Sequence, residues 1–229
     1  YKYESLIVLS AIILANFSLK KNAMINYCFF NTVSAWGGGE KWHLEVASYL
    51  HEKGFNVLVV AAPNSALAVK AKALGIEVSF IKLSNLSFLN PLVINRIARL
   101  LKHYDVDNLI MNSPRDLKSA GIAAYLLKLP KVIFRRGSDI AIKNNILNRF
   151  LYQSVVHKVL VNSPATEASL NANNAQLVAK SKIKLIPNGI DSGKFLGAPF
   201  SPIYTKKAEE FVLCTLGRLV PQKNHDFLI

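Results

Sequence analysis

The 229-residue sequence is short of cysteine, of acidic residues and of long apolar runs, and each shortage excludes something. Its two cysteines, Cys28 and Cys214, are far apart and lack CxxC spacing, so neither a metal site nor a redox motif follows. Each sits in a β-branched and aromatic run and is expected to be a small buried hydrophobe in a reduced compartment. The histidines (His43, His51, His103, His157, His225) show no ligand spacing such as H-E-x-x-H, and no metal site is expected. "DVD" at 105–107 has the D-x-D form. It precedes its strand, however, and belongs at the edge away from ligands. No helix-turn-helix, RRM or zinc-finger pattern is present, and the aromatics fall on strands and helix faces, so no nucleic-acid partner is expected.

No apolar run reaches the roughly 20 residues that span a bilayer. "SLIVLSAIILANFSL" (5–19) falls short and is followed by Lys20 and Lys21 without a small-x-small cleavage site. Met24 opens "MINYCFFNTV", a natural first strand. Residues 1–23 are therefore expected to be an apolar N-terminal extension, with a membrane anchor as the alternative.

Acids number 14 against 28 Lys and Arg, a formal net charge of +14. Between Arg96 and Lys158 twelve basic residues face four acids, a net of +8. Such a field favours polyanions: nucleic acid, an anionic membrane surface or phosphorylated substrates. A merely solvated basic surface is the alternative. At 51% hydrophobic and 18% charged, with mean hydropathy +0.24, the chain has the material for a buried core. Its length suits one α/β domain with a remnant left over.

From Met24 onward, short β-rich runs alternate with longer segments of helical period. The runs cover 25–33, 56–63, 76–83, 107–113, 131–138, 158–163 and 182–189. Alternation of this kind predicts an α/β fold, a Rossmann-like parallel sheet with helices on both faces. Asn90-Pro91, Ser113-Pro114 and Ser163-Pro164 each place a capping residue before proline, marking three helix starts. Trp42, Val46, Tyr49 and Leu50 form one helical stripe, which Gly54 is placed to end. Residues 24–195 are read as this domain and 196–210 as a linker. Residues 211–229, an eighth strand over 211–219 and the opening of a helix, are read as the incomplete start of a second domain.

"SAWGGGEKW" (34–42) puts three glycines between the first strand and the first helix, at the sheet edge where ligands bind. Glycine there permits positive φ or a close approach to bare backbone. A structural turn and a ligand loop both account for it, and neither a dinucleotide fingerprint nor a Walker A loop fits. In "GRLVPQKN" (217–224), Arg218 and Lys223 follow a strand, where two cations suit a diphosphate. An exposed basic loop is the alternative.

In this order, GGGEKW (37–42), VNSPAT (161–166), IPNGID (186–191) and GRLVPQKNHDFLI (217–229) resemble the family 4 glycosyltransferases of the GT-B fold. The resemblance implies an acceptor-side loop at Gly38, Gly39 and Glu40, a cleft-lining turn at Asn188-Gly189 with Asp191, and a donor diphosphate held by Arg218 and Lys223. It implies a nucleotide-sugar donor as substrate rather than cofactor, retention of configuration and metal-independent chemistry. In "FRRGSD" many members have histidine where this chain has Arg136, and the paired glutamates of the donor site would lie beyond Ile229. The RRGS variant resembles members that build lipopolysaccharide or other envelope glycans.

Strand alternation sends Arg135 and Arg136 to opposite sides, so one of them is expected in the site, and Arg136 is the choice. Asp139 is the expected carboxylate for an acceptor hydroxyl, with helix capping as its alternative. The expected partners are a nucleotide sugar, a glycan or lipid-linked acceptor and an anionic membrane. They place the chain in the cytoplasm at the inner face of the cell membrane. A catalytically inactive acceptor- or membrane-binding remnant and a basic nucleic-acid-binding protein are the competing readings.

Overall fold

A computed structural model describes residues 25–189, 196, 201–217 and 224–228. Seven strands, β1 (Asn26–Asn31), β2 (Asn56–Ala61), β3 (Glu77–Phe80), β4 (Asn108–Met111), β5 (Lys131–Arg136), β6 (Lys158–Val161) and β7 (Ile183–Leu185), form one sheet. Its order is β3-β2-β1-β4-β5-β6-β7, and every pairing is parallel. Each lies within one of the seven runs read from the sequence.

The strands are apolar on both faces because both faces are covered. Tyr27, Phe29, Val57, Val59, Ile110 and Ile133 pack beneath α1 (Gly38–Glu52) and α2 (Ala66–Ala73). Cys28, Phe30, Leu58, Leu109, Met111 and Phe134 pack on the opposite face. There they meet α3 (Pro91–His103), α4 (Pro114–Leu126) and α5 (Ile146–Phe150), which continues as a π-turn over Leu151–Val155. Each fully buried Phe, Leu, Ile or Val contributes about 1.5–3 kcal/mol, so the two layers carry most of the stability.

Local chemistry sets the helix ends. The Asn90 side chain accepts from the Leu92 N–H at 2.9 Å and starts α3. The Ser163 hydroxyl accepts from the Thr166 N–H at 3.1 Å and starts α6 (Pro164–Leu170). Gly54, at φ +82°, ends α1, its N–H donating to the His51 carbonyl at 2.9 Å. Ser113 precedes Pro114 as expected but makes no backbone cap; its side chain bonds to Asp116 instead.

The chain divides into two compact units after Asp191. In the second, residues 211–217 carry no strand, so the expected eighth strand is absent across its described part. A strand requires neighbours that take up its N–H and C=O groups, whatever its propensity. Cys214, expected to be buried, is exposed. A 3-10 turn at His225–Phe227 stands where a helix was expected to open.

The π-turn leaves carbonyls unpaired at its end, and Lys182 supplies the donors. Its ammonium reaches the carbonyls of Tyr152 at 3.1 Å, Gln153 at 2.7 Å and Val156 at 2.7 Å. Lys182→Met keeps the stem and removes the charge. Its expected cost is about 1–3 kcal/mol, the penalty for stranding partly buried acceptors. Urea unfolding monitored by circular dichroism would measure it; an unchanged midpoint would show that water serves these carbonyls equally well.

Candidate active site

β1 is bonded to β2 on one side and β4 on the other. The chain leaving β1 turns to α1 on one face, and the chain leaving β4 turns to α4 on the other. The two connections diverge and open a crevice at the carboxyl edge of the sheet, where open α/β sheets bind ligands.

The triglycine lies on this edge. Neither Gly37, Gly38 nor Gly39 has positive φ, so the turn itself does not demand glycine. The closest approach is at Gly39, where a Cβ would fall 2.5 Å from the Nδ2 of Asn112 in the connection after β4, so that a larger residue would have to displace that amide. A Cβ on Gly38 would meet nothing within 4 Å, and Gly38 is exposed. Gly37 caps the 15-residue α1 without a side-chain acceptor of its own, and the Glu40 carboxylate lies beside it, its Oε2 3.2 Å from where a Gly37 Cβ would stand.

Glu40, in the first turn of α1, is buried. Its Oε1 accepts from Asn31 Nδ2 at 3.1 Å. Arg135, buried at the end of β5, feels the Glu40 charge, which opposes the lowering of its pKa by burial. Its guanidinium stacks over the Trp42 ring with Cζ 5.2 Å from the centroid, and donates to Asn188 Oδ1 at 3.1 Å. A carboxylate in the first turn weakens anion binding at a helix N-terminus, and the arginine beside it restores a positive balance.

His43, one turn on from Glu40, is fully buried between Phe29 and Trp42, its ring centroid 5.5 Å from each. Burial first, and Arg135 second, push its pKa down to about 3, so the ring is neutral near pH 7. On the far side of β1, Asp116 is fully buried and accepts from the Thr32 N–H at 3.1 Å and from the Thr32 hydroxyl. Arg115 Nη2 donates to the Thr32 carbonyl at 2.7 Å. Thr32 opens the glycine-bearing loop, so α4 holds that loop from below.

The structure thus brings Glu40, Trp42 and Asn188 together around Arg135, with Gly38 and Gly39 opening the same first turn of α1 and Gly189 next to Asn188 in an exposed turn. Arg136 does not join them. Its guanidinium donates to the Ile140 carbonyl and bonds to Tyr152, on the face opposite α1, as strand alternation requires. Asp139 lies exposed in the loop after β5. It is no helix cap, because α5 starts later with Asn145 accepting from the Asn148 N–H. Arg218, Lys223 and Asp191 lie outside the described residues. Sequence reasoning passed over His43, Asn31, Asp116 and Trp42's role as a stacking surface. The 40-43-47-50 spacing placed His43 with Glu40 on the buried stripe of α1 and was a signal for the histidine.

The sequence profile of Glycosyltransferase Family 4 matches residues 36–194. Among solved structures the chain is similar to a glycosyltransferase from Rickettsia africae ESF-5, with TM-score 0.58 and 22% identity, covering 77% of this chain and 47% of that one. It is similar to Anabaena Alr3699/HepE in complex with UDP, with TM-score 0.56 and 18% identity, covering 73% and 45%. It is also similar to the lipopolysaccharide outer core galactosyltransferase WaaB in its apo form, with TM-score 0.56 and 16% identity, covering 72% and 46%. These likenesses concern the fold, and the chain spans less than half the length of each of the three. The described sheet and its helices correspond to the first half of a GT-B fold. No curated protein matches the sequence significantly.

Asp116 makes stability depend on pH. Burial raises its pKa to about 6, against the lowering effect of its bonds to Thr32, of Arg115 and of Ser113. An unfolded Asp ionises near pH 3.9. Between about pH 4 and 6 the native state keeps a proton that the unfolded state has lost, so this group's contribution falls as pH rises. His43 acts oppositely over the same range, since its pKa is lowered, and the parent's own curve mixes the two. The difference between Asp116→Asn and the parent isolates the carboxyl. Denaturant unfolding should show it moving in the variant's favour by about 1.4 kcal/mol per pH unit across that window; a pH-independent difference would show that Asp116 is not shifted.

Proposed function

The chain belongs to glycosyltransferase family 4, and on that premise we propose that it transfers a hexose from a nucleotide-sugar donor to an envelope glycan or lipid-linked acceptor of the lipopolysaccharide type. The observation that carries the reading is the glycine-capped N-terminus of α1 at the point where the strand order reverses, bare of side chain at Gly38 and with Arg135 beside Glu40 in its first turn. Backbone N–H groups and a guanidinium at such a crevice suit an anionic or hydroxyl-rich ligand. Two of the similar structures support the substrate class, HepE having been solved with UDP and with UDP and glucose, and WaaB being a lipopolysaccharide galactosyltransferase.

In the proposed mechanism Arg218 and Lys223 hold the donor diphosphate and stabilise its charge as it leaves, so no metal is needed. The acceptor oxygen bonds to the anomeric carbon on the face from which the diphosphate departs. The departing phosphate oxygen takes the acceptor's proton, and configuration is retained. Asp139, on the connection after β5, and Arg135 with the Asn188-Gly189 turn would hold the acceptor, whereas Arg136, expected there from the sequence, is engaged on the opposite face. Among the described residues no helix is long and apolar enough to cross a membrane. We place the protein in the cytoplasm, at the inner face of the membrane where lipid-linked acceptors are built.

The test is an assay of the protein, expressed with its contiguous coding sequence, against a panel of nucleotide sugars and an envelope lipid extract. Nuclear magnetic resonance of the product would give the anomeric configuration. Transfer with retention, insensitive to EDTA, is the expected outcome; the absence of both binding and turnover with every nucleotide sugar in the panel would falsify the proposal.

Gly38→Ala tests the ligand-loop role. Alanine should leave the melting temperature unchanged or raise it, since glycine costs a helix about 0.5–1 kcal/mol. The new methyl group should nonetheless lower kcat/KM at least about tenfold by blocking approach to the helix N-terminus. Full activity in that variant would mean that ligand does not approach Gly38.

A further inference from the structure

The connection between β3 and α3 carries a feature that sugar transfer does not use. Leu86, Leu89 and Leu92 fall within seven residues and are 67%, 66% and 74% exposed. They surround a 3-10 turn, Ser87–Leu89, that is anchored rather than loose. Phe88 within it is partly buried, and the Lys118 ammonium of α4 lies 5.4 Å from its ring centroid. Asn90 then caps α3 and fixes the direction of Leu92. Three aliphatic side chains are thereby presented to water by a rigid support, although α3 has its own buried face in Ile94, Ile97 and Leu101.

The surrounding charge has one sign. From Val78 to Tyr104 the sequence contains no acid, and Lys82 and Arg96 are exposed on either side of the leucines. Arg96 lies one turn beyond Leu92 on the same stripe of α3. Leucines ringed by cations match the boundary of an anionic bilayer, where acyl chains accept the leucines and phosphates pair with the cations. A nucleic-acid surface would use aromatic platforms, and exposed aliphatic side chains gain nothing from a phosphate backbone.

Position adds the second argument. The connection leaves the carboxyl end of β3, two strands from β1 in the sheet order. Strand spacing puts it roughly 10 Å along the same edge from the strand that bears the glycine loop.

The geometry points to Leu86, Leu89 and Leu92, with Lys82, Arg96 and Lys118, as a docking surface for an anionic lipid bilayer on the ligand-bearing edge. Docked in this way, the crevice opens beside the membrane, and an acceptor can keep its lipid tail in the bilayer while its head group enters. The lipid acceptor rests on the transferase reading. The bilayer contact rests on the patch alone.

Flotation with vesicles of phosphatidylcholine, with and without 30% phosphatidylglycerol, tests the contact on the full chain. That composition is a choice of probe, set at roughly the anionic content that gives a surface potential worth measuring. Binding should require the anionic lipid and weaken as salt is raised. Leu86→Ser with Leu89→Ser and Leu92→Ser, and separately Lys82→Glu with Arg96→Glu, should each reduce it by about tenfold or more. These side chains are exposed, and unchanged melting temperatures would confirm intact folding. Binding that survives both variants, equal binding to neutral vesicles, or capture by duplex DNA in place of vesicles would each overturn the proposal. Transfer to a water-soluble acceptor separates the two readings: leucine variants that lose vesicles but keep that turnover support the docking surface, whereas a parent that floats yet transfers nothing leaves docking standing and removes the transferase.

Discussion

β1 is hydrogen-bonded to β2 and β4 at once, in register from Tyr27 to Phe30 on both sides. Parallel strands are joined by crossovers that pack on the sheet with one handedness, so the strand at which the order reverses sends its neighbours' connections to opposite faces. The crevice is a consequence of that pairing. The close approach of Gly39 to Asn112 across it follows as well, and so does the placement of the N-terminus of α1 at this edge.

Burial decides the electrostatics of this edge. Glu40, His43, Asp116 and Arg135 are all buried, where an isolated charge is costly and a shifted pKa is the usual response. The molecule resolves the four differently. Arg135 keeps its charge beside Glu40, with a π-face and an amide as further partners. His43 stays neutral. Asp116 is raised but held by Thr32 and Ser113, so its cost is offset by the loop that it fixes. The excess basic charge outside the crevice meets no such constraint and is spread over exposed helix faces, the edge of α3 among them.

Much of the fold was legible because its determinants are local. Seven apolar runs of strand length, separated by stretches of helical period, leave few alternatives to a parallel sheet. Asn90, Ser163 and Gly54 mark helix ends through bonds within a few residues of themselves. The failures came where the partner is distant. "FVLCTLGRL" has strand propensity, yet residues 211–217 form no strand and Cys214 is exposed, since propensity supplies no hydrogen-bond partner.

By itself the sequence determined the class of fold, the place of the glycine loop after the first strand and the family resemblance, because period, caps and motif order are carried by neighbouring residues. Tertiary structure decided between the two conformational accounts of the loop, since none of its glycines has positive φ and Asn112 stands close against Gly39. It also decided which arginine meets α1. Residues 135 and 136 are equivalent in composition, but the pleat turns one toward Trp42 and Glu40 and the other toward Tyr152. A choice between faces depends on which helix covers each face, and that is a property of the assembled sheet rather than of any one strand.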